Sequence, residues 1–536
     1  MQLIPTRSTF RPDETIELDA PGASTVELWH LDQLRATAAV SHGRATLPPQ
    51  PVGGYGLVAR AADGSVAGRS AIDVLTSPFD RPRYGFVADF PAGRGADALV
   101  ATSRRLHLNL IQFYDWAHRY AQLVPDTDEY LDPLGRELSL STVRDMTAAL
   151  HQVGTLALGY AAVYAVGGVD WPTWQSAGLF KADGEPHRFT DDLLLVVDPA
   201  NEQWMKHFTA ELARAMDEVG FDGFHLDSYG WPKRALRADG TVCDLNDAFS
   251  VLLERIHRDV AISQHMFNNV NDFPTWSTTK APQSATYIEV WNPHSTLAHL
   301  GALAQRARAF RPAVPPILAA YLSVYRDGPV AAADDAARLV MATVFSHGAT
   351  HLLMGEGDRV LVDPYYPRNH EAGASTTRLM SEWYDFLVRY GDLLLDPESV
   401  DVTRSYTGGI NEDLIADAPD GVRFSTDAEP GTVWIRVVRT PRGLVLHFIN
   451  LTDQSEIGWD AAKRPIGLVR GARLRVLTTL SYGAPLAADP EIAPALTALA
   501  VAPGGLYDVI DLPPLGAWTI VALPDPQGWL AADQPS

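Results

Sequence analysis

Over the first 80 residues apolar and polar positions alternate in short runs, "TIELDA", "STVELWHL", "GRATLPP", "YGLVARAA" and "SAIDVL", broken by Gly and Pro. A period of two marks strands that bury one face, so residues 1–80 predict a small immunoglobulin-like β-sandwich, with "TSPFDRPR" as its linker. From residue 81 to 398 the pattern changes. Eight runs, "YGFVADF", "LNLIQFYDW", "TLALGYAAVY", "FDGFHLD", "HMFNNV", "ATYIEVW", "PILAAYL" and "THLLMGEG", are almost continuously apolar, as parallel strands covered on both faces are. Amphipathic stretches separate them. In "NEQWMKHFTAELARAMDEVG" Trp204, Phe208, Leu212 and Met216 fall on one stripe, with Asn201 placed to cap the helix and Gly220 to stop it. Eight strand-plus-helix units predict a (β/α)8 barrel. A doubly wound sheet is the alternative, but no Gly-x-Gly-x-x-Gly opens any of the helices. Over 399–536 alternation returns in "TVWIRVVRT", "GLVLHFINL", "ARLRVLTTL" and "AWTIVAL", which predicts an antiparallel β-sandwich.

Charge narrows the class of ligand. Against 43 Lys and Arg stand 65 Asp and Glu, a net charge of -22, and no basic run interleaves with aromatics. Nucleic acid and acidic membranes would be repelled, so a neutral ligand is expected. Cys243 is the one cysteine, which excludes an intrachain disulfide and a thiolate metal cluster; no cofactor is expected. The opening "MQLIPTRSTFRPDETIELDA" has no basic segment followed by an apolar one. A cytoplasmic protein is the expectation, with export by another route left open. Oligomeric state is not readable.

In such a barrel the active site is built at the carboxyl ends of the strands. Those ends carry Asp89, Asp115, Asp227, Glu289 and Glu356, interspersed with Trp116, Tyr160, Tyr229, Trp231, Trp291 and Tyr321. Rings that stack on sugars, beside carboxylates that bond hydroxyls and perform acid-base work, suit a polyhydroxylated substrate. A lone Asp after a strand also serves as a helix cap or turn residue, an ordinary reading for Asp89 and Asp115. Glu289 resists it, because an unpaired carboxylate among the apolar residues of "ATYIEVWNP" costs several kcal/mol. His225, two residues before Asp227, is a weaker candidate ligand for substrate or metal. His347 and His351 are separated by Gly348 and share no helix face, and no His-Glu-x-x-His or Gly-x-Ser-x-Gly occurs. Gln112, Asp115, Tyr160, Asn268 and Glu356 are candidates for binding hydroxyls.

In this order, "NLIQFYDWAHRY", "LLLVVDPANEQW", "GFDGFHLDSYG", "YIEVWNP" and "SHGATHLLMGEGDRVLVDPYYP" resemble glycoside hydrolase family 66, which contains endo-dextranases and cycloisomaltooligosaccharide glucanotransferases acting on α-1,6-glucans. The resemblance runs from about Tyr84 to Pro367. It implies a retaining mechanism with Asp227 as nucleophile, closing strand four, and Glu289 as general acid/base, closing strand six, with Tyr229 and Trp231 shaping the sugar subsite. In α-amylase-like barrels the acid follows strand five, where this sequence has "FNNVND" and no Glu. The cyclising branch carries a carbohydrate-binding module inserted late in the barrel, whereas here strands seven and eight follow closely between Pro316 and Gly357. A dextranase-like hydrolase is therefore the expectation. A transglycosylase on the same substrates is one alternative, and a non-catalytic glucan-binding protein is another of a different class.

Overall fold

The computed structural model describes residues 3–190, 193–260, 264–419, 421–527 and 529. Its centre is a barrel of eight strands: β1 (Tyr84–Val87), β2 (Leu110–Phe113), β3 (Leu156–Ala162), β4 (Gly223–Asp227), β5 (Gln264–Asn268), β6 (Ala285–Glu289), β7 (Ile317–Ala319) and β8 (Thr350–His351). They pair in sequence order and every pair is parallel. At the seam between the last strand and the first, the Glu356 N–H donates to the Phe86 carbonyl at 2.9 Å. A Cβ at Gly355 would collide with that same carbonyl oxygen, so glycine is what lets the two backbones meet.

Around the strands lie α1 (Asp97–Arg105), α2 (Leu140–Gln152), α3 (Glu202–Val219), α4 (Leu245–Asp259), the single turn α5 (Thr275–Thr278), α6 (Leu297–Phe310), α7 (Val330–Ser346) and α8 (Ala374–Arg389). Helix α3 forms as its pattern predicts. The Asn201 side-chain oxygen accepts from the N–H groups of Gln203 and Trp204 at 3.0 and 3.2 Å, Gly220 ends the helix at a φ of 89°, and Trp204, Phe208 and Leu212 are buried. The connection after β5 departs from the expected strand-plus-helix unit. Pro274 and Pro282 bracket the short segment "TWSTTKA", which leaves room for one helical turn.

Alternate residues of a strand share a face, and the inward set begins as an apolar plug of Leu110, Leu158, Met266, Ala285 and Ile317. Two residues further along come Gln112, Tyr160, Asn268 and Tyr287, and beyond them Glu289; on β4 His225 and Asp227 repeat the step. Chemistry thus replaces packing toward the carboxyl ends. Two excursions rise there. The segment after β3 folds into a small antiparallel sheet of Ala165–Val166, Arg188–Phe189 and Leu194–Val196, and its Leu179–Phe180 pairs with Arg234–Arg237 from the excursion after β4.

Both flanks are β-sandwiches. The N-terminal one has sheets of three and four strands between Ile4 and Val74, around Ile16, Leu18, Val26, Leu28, Leu57 and Ile72. The C-terminal one closes over Val433, Ile435, Leu446, Phe448, Val476 and Val521. Each leans on α8. Trp518 of the C-terminal sheet stacks on Trp383, ring centroids 5.7 Å apart. Just beyond α8, buried Asp392 accepts from Arg81 at 2.7 Å, from His30 at 3.1 Å and from the Gly54 N–H at 2.9 Å, and it ties the N-terminal sandwich to the barrel. No helix among the described residues is long and apolar enough to cross a membrane.

Arg81 is the chief charge holding the Asp392 carboxyl far below the usual carboxylate range, against the cost of its burial. A depressed carboxylate pKa contributes stability above the unfolded-state value of about 3.9, and that stability is lost as pH falls toward the folded-state value. Asp392→Asn leaves the buried Arg81 charge with only a 3.4 Å contact to Asp73, which also serves Arg83, and should cost up to about 3–5 kcal/mol near neutrality. Urea unfolding followed by tryptophan fluorescence should show the gap to wild type holding down to about pH 5 and narrowing below about pH 4.

Candidate functional site

A cavity of about 520 Å³ opens at the carboxyl ends of the strands, lined by Gln112, Tyr114, Tyr160, His225, Asp227, Tyr229, Asn268, Val270, Asn271, Tyr287, Glu289, Trp291, Tyr321, Pro364, Tyr365 and Tyr366. Its size is that of a small-molecule cleft. Asp227, 8 % exposed, is the last residue of β4, and partly exposed Glu289 is the last of β6. Between those strands runs β5, ending in Asn268.

The two carboxylates are joined through that residue. Asn268 Nδ2 donates to Asp227 Oδ1 at 2.7 Å and to Glu289 Oε2 at 2.9 Å, so these two oxygens are no farther apart than the two bonds laid end to end. Each carboxylate also has a phenol of its own. Tyr160 donates to Asp227 Oδ2 at 2.7 Å, and Tyr321 donates to Glu289 Oε1 at 3.0 Å. Burial, and after it the Glu289 charge, push Asp227 above the ordinary carboxylate range, with Tyr160 and Asn268 opposing. Burial also raises Glu289, opposed by the Asn268, Tyr321 and Trp291 donors. Two raised, adjacent carboxyls lose their protons in two steps that belong to the pair.

The floor is uncharged. His225 bonds Tyr84 through Nδ1 at 3.1 Å, and burial lowers its pKa to about 3, so the imidazole is neutral. Buried Gln112 has an Oε1 with no hydrogen-bond partner, a free acceptor at the cavity wall. Among the described residues no three His, Cys, Asp or Glu side chains are grouped so as to hold a metal ion.

Four residues expected at the site lie off the cavity. The chain turns at Asp115, in the left-handed region at a φ of 47°, and its carboxylate lies 4.0 Å from Arg136. Burial raises it to about 7 although Arg136 pulls the other way. That turn sends Trp116 back into the core, 0 % exposed, with its indole N–H on the Tyr160 carbonyl at 3.1 Å and its ring on Phe221 at 4.8 Å. No sugar can stack on it. Glu356 is spent on the barrel seam, accepting from Arg94 at 3.0 Å, Asn369 at 2.7 Å and the Ala88 N–H at 3.1 Å. Trp231, 42 % exposed, stands outside the cavity edge-on to His187 and Phe189. Asp89 is exposed and lies near Arg94.

Tyr114, Tyr287, Tyr365 and Tyr366 line the cavity without having been singled out from the sequence. Tyr287 was accessible to a period-of-two argument, being two residues before Glu289, and Tyr114 likewise follows Gln112. Tyr366, stacked on Tyr114 at 4.2 Å, comes from the loop "VDPYYPRN", where no periodicity operates.

Comparison with known proteins adds three findings. The model of glycosyl hydrolase family 66 matches residues 23–469. A cycloisomaltooligosaccharide glucanotransferase of Niallia circulans is 26 % identical over 416 residues, covering 69 % of this chain and 42 % of that protein. A dextranase of Streptococcus salivarius is 22 % identical over 377 residues, covering 58 % and 46 %. The chain thus spans less than half the length of these two relatives. Among solved structures, a cycloisomaltooligosaccharide glucanotransferase of Paenibacillus sp. complexed with cycloisomaltoheptaose shares the fold, with a TM-score of 0.86 at 19 % identity over 97 % of this chain and 99 % of that one.

Because the Glu289 charge is one of the causes raising Asp227, Glu289→Gln should move the Asp227 midpoint to lower pH by about one unit or more. Carbon-13 NMR of protein labelled at the aspartate carboxyls reads this directly, and an unmoved midpoint would mean that the two groups titrate independently.

Proposed function

This chain belongs to glycosyl hydrolase family 66, and from that premise we propose that it hydrolyses α-1,6-glucosidic bonds of dextran or isomaltooligosaccharides with retention of anomeric configuration. The observation that carries the reading is the Asn268-bridged pair, Asp227 and Glu289. Such closeness fits the separation of about 5–5.5 Å that permits direct nucleophilic attack better than the about 6.5–9.5 Å of an inverting pair, which admits a water. The names of the dextranase and glucanotransferase relatives support the substrate class, as does a tyrosine-lined cavity on a strongly acidic protein.

In the first step Glu289 gives its proton to the glycosidic oxygen, the bond from that oxygen to C1 breaks, and Asp227 forms a bond to C1. Positive charge develops at the anomeric centre and favours Asp227 as the anion, which places the proton on Glu289. In the second step Glu289, now a carboxylate, takes a proton from water as the water oxygen bonds to C1 and Asp227 leaves. Tyr114, Tyr229, Tyr366 and Trp291, the last 37 % exposed at the mouth, offer ring faces to the glucose units.

Transfer to a sugar hydroxyl uses the same residues and differs in the acceptor alone, and a glucanotransferase stands among the relatives. Hydrolysis is preferred because β7, α7 and β8 follow one another from Ile317 to His351 without an inserted module.

Asp227→Asn and Glu289→Gln should each reduce kcat/KM on isomaltooligosaccharides by at least about 10³-fold with an unchanged circular dichroism spectrum. With an activated aryl glucoside Glu289→Gln should still form the glycosyl-enzyme, and added azide should speed its turnover. Product chromatography decides between the two outcomes. Linear oligosaccharides throughout a long digest support hydrolysis, cyclic or elongated products support transfer, and near wild-type activity of either variant would overturn the role assignment.

A further inference from the structure

We propose that Asn268 is the positioning residue of the pair, a shared clamp that orients both carboxylates and sets the pH interval in which one is charged and the other is not. The proposal rests on reading Asp227 and Glu289 as nucleophile and acid/base.

One amide nitrogen has two hydrogens, and both are committed, one to Asp227 Oδ1 and one to Glu289 Oε2. Asn268 Oδ1 is buried without a partner. Reversing the amide would set that oxygen against both carboxylates, so its orientation is fixed by the pair. Both donors of Asn268 are thus spent on the acids, which leaves its oxygen as the one group it could offer a sugar hydroxyl. Its place in the fold explains why it can do this. The end of β5 lies between the ends of β4 and β6, so residue 268 alone among the strand ends flanks both acids.

The remaining donors divide cleanly. Tyr160 serves Asp227, Tyr321 and Trp291 serve Glu289, and Asn268 serves both. A donor to the charged form lowers a carboxyl pKa, so removing a private donor raises one midpoint and removing the shared one raises two. The other groups facing the pair are His225 from β4, Tyr229 after it, Tyr287 from β6, Tyr84 from β1, Tyr366 from the loop after β8, and Tyr114 and Asp115 after β2. His225 and the phenols stay uncharged between about pH 5 and pH 9, since burial lowers the imidazole and raises the phenols. Asp115 titrates inside that interval, and Asp115→Asn removes it as the background for the experiment.

In that background, kcat/KM on isomaltotriose measured against pH has an acid limb and an alkaline limb that belong to the pair. Tyr160→Phe should shift one limb upward, Tyr321→Phe the other, and Asn268→Ala both, with kcat falling on the order of 10²-fold from lost alignment and KM little changed. A raised KM with an unmoved profile would assign Asn268 to substrate binding, and one shifted limb would make it a private partner; either overturns the clamp. Carbon-13 titration of the Asp and Glu carboxyls in folded Asn268→Ala and the similarly sized, uncharged Asn268→Leu, each losing the two-pronged donor, needs no turnover. Unmoved midpoints there refute the clamp, whereas moved midpoints in a protein whose parent lacks activity on isomaltotriose refute the functional reading instead.

Discussion

Two carboxylates held about 5 Å apart repel by about 3 kcal/mol at an effective dielectric constant near 20, and a buried site adds the cost of desolvating each charge. Ionising one makes ionising the other harder, and the protein must hold them together against that repulsion. Much of the site follows from this constraint. The neutral imidazole of His225 adds no competing charge, the phenols of Tyr160 and Tyr321 steady the outer oxygens, and an amide rather than a third acid occupies the strand end between them.

Rigidity comes from the barrel. Asp227, Asn268 and Glu289 terminate three consecutive parallel strands, anchored below by a packed apolar plug, so their spacing is that of the sheet and not of a loop. The flanking sandwiches grip α8 and the turn after it, through Asp392 on one side and the Trp383–Trp518 stack on the other, and the C-terminal domain also braces the loop after β6, where the Trp459 indole N–H donates to the His294 carbonyl at 2.6 Å.

The barrel and both sandwiches were legible because burial on one face or two leaves different hydrophobic periods, and the caps of α3 because Asn201 and Gly220 have local jobs. The missing helix after β5 was legible too, in Pro274 and Pro282, but was masked by the regularity of the other units. At the site, Asp227 and Glu289 stood out as acids at the ends of apolar runs. Asp115 and Glu356 shared that signature, and they and the neighbouring Trp116 lie off the cavity, because the alternation that predicts inward direction fails where the strand stops. A left-handed turn at Asp115 reverses Trp116, and the seam claims Glu356. Tyr365 and Tyr366 come from a loop whose path no period encodes.

The pairing of Leu179–Phe180 with Arg234–Arg237 binds the excursion after β3 to the one after β4. Those strands deliver Tyr160 and Asp227, so the segments rising above the nucleophile form one hydrogen-bonded wall on a single side of the cavity. Evolutionary change in either excursion is therefore shared: an insertion that lengthens one must preserve the other's strand register or break the wall. An insertion beside Trp291 or in the Tyr365–Tyr366 loop would leave that register untouched.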